Sequence, residues 1–208
     1  MDLADWRGFE TRKKEAESRG MLLGRGFANY VESSIGTPRE QAEIHVRADG
    51  HIDLVIGTQP SGQGHETSFA QVAAEWLGVP VNTISVIVGD TDLVKVGGGS
   101  HSGRSMRMAG TVIVKAADEL IEKSKKLAAV VLEAAETDLE FHDGKFQVVG
   151  TDREISLYAL AEVVGRRSDL PEKLSVIEDN VMETPVFPNG CHICEIEIDP
   201  VSGAYKIA

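Results

Sequence analysis

Residues 57–80 read GTQPSGQGHETSFAQVAAEWLGVP. Phe69, Val72, Ala73, Trp76 and Leu77 recur at the i, i+3, i+4, i+7 and i+8 spacing of an amphipathic helix. Gly78 stands where a helix C-terminal glycine belongs, and Pro80 blocks continuation. Gly62 and Gly64 lie in a loop that feeds this helix directly. Just upstream, residues 41–59 (QAEIHVRADGHIDLVIGTQ) alternate apolar and polar on either side of Asp49-Gly50, a hairpin signal. The pattern is therefore hairpin, glycine loop, short helix.

Downstream, residues 83–92 (TISVIVGDTD) read as a buried strand, and residues 97–105 (GGGSHSGRS) as a second glycine-rich loop. Ile113, Ala117, Leu120, Leu127, Val131 and Ala134 then mark one face of a long helix, with Ser124 as its polar interruption. Run from 105 to 135, it would span about 45 Å. Glu119 with Lys123 and Glu122 with Lys126 form i,i+4 pairs on its wet side.

A hairpin turning at Asp143-Gly144, a short helix over 156–164, and strands at 174–179 and 191–199 complete the pattern. A turn through Pro200 and Gly203 follows. At the other end, residues 5–19 are a polar helix and residues 21–34 an extended strand. The expected fold class is α+β: a mixed or antiparallel sheet with hairpins, packed on one short and one long helix. Residues 1–20 are expected to be a helical lead-in to a main domain over 21–208. The last residues read as a strand just begun, so a fragment of a longer subunit is expected.

Hydrophobic residues make up 42% of the 208, and the charge balance of 21 Lys and Arg against 33 Asp and Glu gives −12. That charge disfavours non-specific nucleic-acid binding, which depends on basic patches. An anionic ligand would have to be held by local donors: backbone N–H groups, helix N-termini and single arginines. No apolar run approaches a membrane span, and the charged N-terminus lacks a signal-peptide stretch, so a cytoplasmic location is expected.

The two cysteines, Cys191 and Cys194, alternate within a strand pattern that sends them to opposite faces. A zinc site would need further ligands. One buried apolar thiol and one bystander are expected. No metal ligand is assigned.

A glycine-rich loop opening a helix is a device for holding phosphate: the backbone comes close, unpaired N–H groups point outward, and the helix dipole favours an anion. The device occurs twice, at Gly62, Gln63, Gly64 and His65 and at Ser102, Gly103, Arg104 and Ser105. Arg104 could add a charge-assisted contact, and Gln63 an amide that both donates and accepts. Neither loop has the P-loop or dinucleotide-fold spacing, and Phe69 occupies the second histidine position of a metalloprotease motif.

GTQPSGQGHETSFAQVAAEWLGVP, then GDTD, then a triple-glycine loop carrying SGRS, resembles the molybdenum-binding large subunit of the xanthine dehydrogenase and aldehyde oxidase family. The string is most similar to the carbon-monoxide-dehydrogenase-like branch. Residues 6–33 and FPNGCHICEIEIDP (187–200) share the resemblance in the same order. It implies a molybdopterin-binding-domain fold, and a molybdopterin with molybdenum, in the cytosine dinucleotide form. Gly62, Gln63, Gly64, His65, Ser102, Gly103, Arg104 and Ser105 are the implied cofactor-binding residues, with Gln63 near the metal's oxo and sulfido ligands. Relatives often have Gly-Ser-Arg-Ser at the second loop, so Ser102-Gly103 is a swapped order here.

The implied reaction is oxidation of an aldehyde, an N-heterocycle or carbon monoxide, with water as oxygen source. Iron–sulfur and FAD centres are expected on partner chains or domains, with the remainder of the large subunit and a homo-oligomer as further partners. No catalytic residue is assigned within these residues. Alone they are expected to hold no cofactor, to be inactive and to self-associate through exposed apolar surface. The alternative is a non-catalytic structural or assembly module that keeps the fold without the cofactor. Coding sequence continuing past Ala208 into a glycine-rich segment bearing Glu would favour the enzyme.

Overall fold

The computed structural model describes residues 3–34 and 36–208; residues 1, 2 and 35 lie outside the described residues, so the lead-in is followed from Leu3. The elements are α1 (Phe9–Ser18), β1 (Leu22–Val31), β2 (Arg39–Val46), β3 (Ile52–Ile56), α2 (His65–Leu77), β4 (Ile84–Ile87), α3 (Ser105–Leu132), β5 (Leu139–His142), β6 (Lys145–Val148), β7 (Glu154–Ser156), α4 (Leu157–Arg166), β8 (Leu174–Val181), β9 (Asn189–Ile198) and β10 (Tyr205–Ile207). The class is α+β, as the hairpin signals imply. The chain divides into two compact units, Met1–Glu32 with Phe187–Ala208, and Ser33–Val186.

In the first unit, β1, β9 and β10 form an antiparallel sheet in the order β1-β9-β10. Helix α1 is polar and buries only Ala16, so specific contacts hold it in place. Arg12 grips Glu195 of β9 through two bonds, Nε to Oε2 at 3.0 Å and Nη2 to Oε1 at 2.7 Å. Arg25 of β1 lies over the rings of Trp6 and Phe9, 3.5 and 4.1 Å from their centroids. Leu22, Phe27, Tyr30, Tyr205 and Ile207 are exposed. Cys191 and Cys194 are both exposed, free thiols of β9, so the expectation that one would be buried is corrected. The sheet around them has too little cover to bury either.

The second unit is built on a four-stranded sheet in the order β4-β3-β2-β8. Strict alternation along β2 and β3 sends Ala42, Ile44, Val46, Ile52, Leu54 and Ile56 to one face, where all are buried. Phe69, Ala73 and Leu77 of α2, and Val112, Ile113, Ala116 and Leu120 of α3, join the same core cluster. A small meander, β5-β6-β7, turns at Asp143-Gly144, both residues at positive φ. Ser156 caps α4 by accepting from the Ala159 amide.

Three expectations are corrected here. The strand within 83–92 is short and only half-buried, because β4 is an edge strand, paired parallel to β3 after a crossover through α2. Trp76 lies outside the core at 46% exposure, with its indole N–H donating to Asp118 at 2.7 Å. Lys123, rather than pairing with Glu119, donates to the Ser175 carbonyl of β8 at 2.7 Å. Buried Ser124 of α3 has no hydrogen-bond partner for its hydroxyl.

Candidate cofactor-binding site

Both glycine loops belong to the second unit and converge. Gly64, at φ 72, is the N-cap of α2, and Arg104 the N-cap of α3; neither cap uses a side chain to satisfy the helix amides. First-turn N–H groups therefore remain as donors at both starts. Gly62, Ser102 and Gly103 also have positive φ, which bends each loop sharply into its helix.

The two starts are joined by a short relay of side chains. His65 Nε2 lies 3.0 Å from Ser100 Oγ, which lies 2.7 Å from Ser105 Oγ. The His65 ring stacks on Phe69 at 4.9 Å, so the core fixes its plane. Gln63 Oε1 accepts from the Ser61 amide at 2.5 Å, which pins its carboxamide.

These residues line one cleft of about 370 Å³: Gln63 and His65 on one side, Ser100 to Gly103, Ser105 and Met106 on the other. None of its described lining residues is acidic, although the chain carries a net charge of −12. Amides, hydroxyls and an imidazole at two helix starts are the kinds of donor that suit an anion. Gly62 and Gly64 are exposed in the first loop beside Gln63.

Arg104 is placed differently from its reading as a charge-assisted ligand contact. Its side chain is fully buried and turned inward, onto Glu40 of β2. Nη2 donates to Glu40 Oε2 at 3.0 Å, and Nη1 to the Gly99 carbonyl at 2.6 Å. Glu40 Oε2 also accepts from Thr58 Oγ1 at 2.7 Å and from the Gly98 amide at 3.3 Å. The cause is electrostatic: Glu40 is itself fully buried, and a buried carboxylate needs a cation. Removing one partner of such a pair costs roughly 3–5 kcal/mol.

The triple glycine is explained by the same packing. A Cβ on Gly97 would stand 2.3 Å from the Gly57 Cα, and one on Gly98 would stand 2.6 Å from the Arg104 guanidinium. The second loop thus lies flat against the root of the first. Sequence reasoning missed Glu40, Thr58 and Ser100. A glutamate at an otherwise apolar, inward-facing position of β2 was the available signal for Glu40.

A family model described as "Molybdopterin cofactor-binding domain" matches residues 1–208. The chain belongs to that family. Among relatives, this molybdopterin-binding domain is 32% identical over 211 residues to the 6-hydroxypseudooxynicotine dehydrogenase complex subunit gamma of Paenarthrobacter nicotinovorans, covering 100% of the chain and 27% of that protein. It is 27% identical over 223 residues to the carbon monoxide dehydrogenase large chain of Hydrogenophaga pseudoflava, covering 100% of the chain and 28% of that protein. The fold matches a solved structure of reconstituted CO dehydrogenase from Oligotropha carboxidovorans with a TM-score of 0.78 and 28% identity, covering 100% of this chain and 28% of that one. The molybdopterin-binding domain therefore spans less than a third of the length of these relatives, and it is of the carbon-monoxide-dehydrogenase-like kind.

Proposed function

We propose that the domain holds the molybdenum cofactor in its cytosine dinucleotide form, with the phosphates between the starts of α2 and α3. The observation that supports this reading is an acid-free cleft fed by two helix starts in an otherwise acidic chain. The residues fit the group. First-turn amides of α2 and α3, with the Ser105 and Ser102 hydroxyls, would hold phosphate oxygens, each a short-range donor that needs no net positive charge. Gly62, Gly64 and Gly103 allow the backbone to approach, and Gln63 would meet the end of the cofactor nearest the metal. Arg104 contributes its backbone at the loop, while its side chain anchors the loop from behind.

When bound, the molybdenum centre would supply two-electron redox chemistry, and the protein placement and electrostatics. In the longer subunit, the substrate would be an aldehyde, an N-heterocycle or carbon monoxide, oxidised with water as oxygen source. Iron–sulfur and FAD partners would remove the electrons. The relatives' names support this class: one is a subunit of a dehydrogenase complex, another the large chain of carbon monoxide dehydrogenase.

The test is cofactor content of the longer subunit carrying Gln63→Ala or Ser105→Ala, as molybdenum by elemental analysis and cytidine nucleotide by mass spectrometry. Loss of one donor is expected to weaken retention by about fivefold. Undiminished molybdenum and nucleotide in both variants would contradict the assigned grip.

A further inference from the structure

Resting on that reading of the cleft, we infer that Glu40 is a positioning residue for the anion site, acting through Arg104. Glu40 sits on β2, outside both loops and outside the residues lining the cleft. Its Oε2 gathers three donors: the Arg104 guanidinium, the Thr58 hydroxyl and the Gly98 amide. Thr58 stands at the root of the first loop, Gly98 and Arg104 at the two ends of the second. One carboxylate oxygen thus ties both loops to the central sheet.

The tie extends along the second loop. Arg104 Nη1 donates to the Gly99 carbonyl, one residue before Ser100, whose hydroxyl bridges His65 and Ser105. Arg104 Nη2 also reaches the Arg39 carbonyl at 3.4 Å. Gly97 and Gly98 let the loop lie this close, since a Cβ on either would collide with the Gly57 backbone or the guanidinium. The loop therefore closes over the ion pair like a cover over a bolt. Glu40 Oε1 and Arg104 Nε are buried without partners, a cost consistent with a pair kept for geometry.

Positioning and charge make opposite demands on the sign of the effect. If Arg104 served the ligand mainly as a cation, removing the Glu40 charge would strengthen anion binding, because less negative potential would oppose it. If Glu40 fixes the loop, removing it weakens binding although a negative charge is lost.

The experiment titrates the longer subunit, freed of its cofactor, with inorganic pyrophosphate, comparing wild type with Glu40→Leu, Glu40→Gln and Arg104→Lys. Amide hydrogen exchange is followed in parallel. Glu40→Leu is expected to bind pyrophosphate at least about tenfold more weakly. Faster exchange should be confined to residues 97–106, while Ile44, Leu54 and Phe69 keep their protection. Glu40→Gln retains size and an acceptor oxygen, and is expected to lose affinity by a few-fold; it decides the matter if the leucine variant does not fold. Arg104→Lys keeps the charge but cannot bridge the same carbonyls, and is expected to lose about tenfold. Equal or stronger pyrophosphate binding in the Glu40 variants overturns the inference, as does protection lost uniformly across the core. A wild-type subunit that, freed of cofactor, does not bind pyrophosphate overturns both this inference and the reading of the cleft.

Discussion

At Gly57 and Gly97 two backbones touch where a side chain of any kind would intrude: a Cβ on Gly97 meets the Gly57 Cα at 2.3 Å, and one on Gly57 meets the Gly97 Cα at 2.2 Å. Gly97→Ala is therefore expected to cost about 1–3 kcal/mol by overpacking and to displace the loop that carries Ser100. Denaturant unfolding checks the first effect. A stability equal to wild type would show that the backbones have room to part. The glycines were legible in the sequence as loop-formers. Their mutual contact was not, because the pairing lies between residues far apart in sequence. The same holds for Arg104: SGRS marks a basic residue at a helix start, but its direction is set by Glu40, 64 residues away. A buried carboxylate on β2 holds that guanidinium away from solvent.

Helix α2 was legible as an element, with its Gly78 cap in the left-handed conformation and its start at His65. Its packing face was only partly so. Periodicity placed Trp76 beside Leu77, yet Leu77 is fully buried and Trp76 is turned to Asp118. An indole with a polar partner at the rim resolves the ambiguity of an i+7 position. Phe69→Ala is accordingly expected to cost about 3–5 kcal/mol, since Phe69 fills the core and supports the His65 ring. Trp76→Ala should cost about 1 kcal/mol, the scale of its one exposed hydrogen bond. Thermal and denaturant midpoints of the two variants check the contrast, and equal losses would contradict it. Strand β4 failed as a buried strand because periodicity cannot report whether a neighbour exists on both sides. At an edge, the same residues are half-exposed.

On the scale of the molecule, acidity and ion pairing set the pH response. Hydrogen bonding from Arg12 holds the Glu195 carboxyl below its ordinary range, and Lys206 with Arg19 does so for Glu197. A carboxylate depressed in the folded state binds fewer protons there than in the unfolded chain. The stabilisation is thus present above the unfolded value, about 4.3, and is lost as pH falls through the folded one. The contacts of α1 and β10 on β9 should loosen on acidification, and Glu195→Gln should cost stability at neutral pH and progressively less as pH falls, as denaturant unfolding across pH would show. An unchanged acid profile in that variant would count against the pair. Among the described residues no helix is long and apolar enough to cross a membrane.

The most direct measurement is a two-dimensional amide NMR titration of the longer subunit, freed of its cofactor, with inorganic pyrophosphate. Resonances of His65 and Glu66 at one helix start, and of Ser105 and Met106 at the other, should move together along a single binding curve. Movement at one start alone, or two curves with separate affinities, would show that the helices do not share one anion.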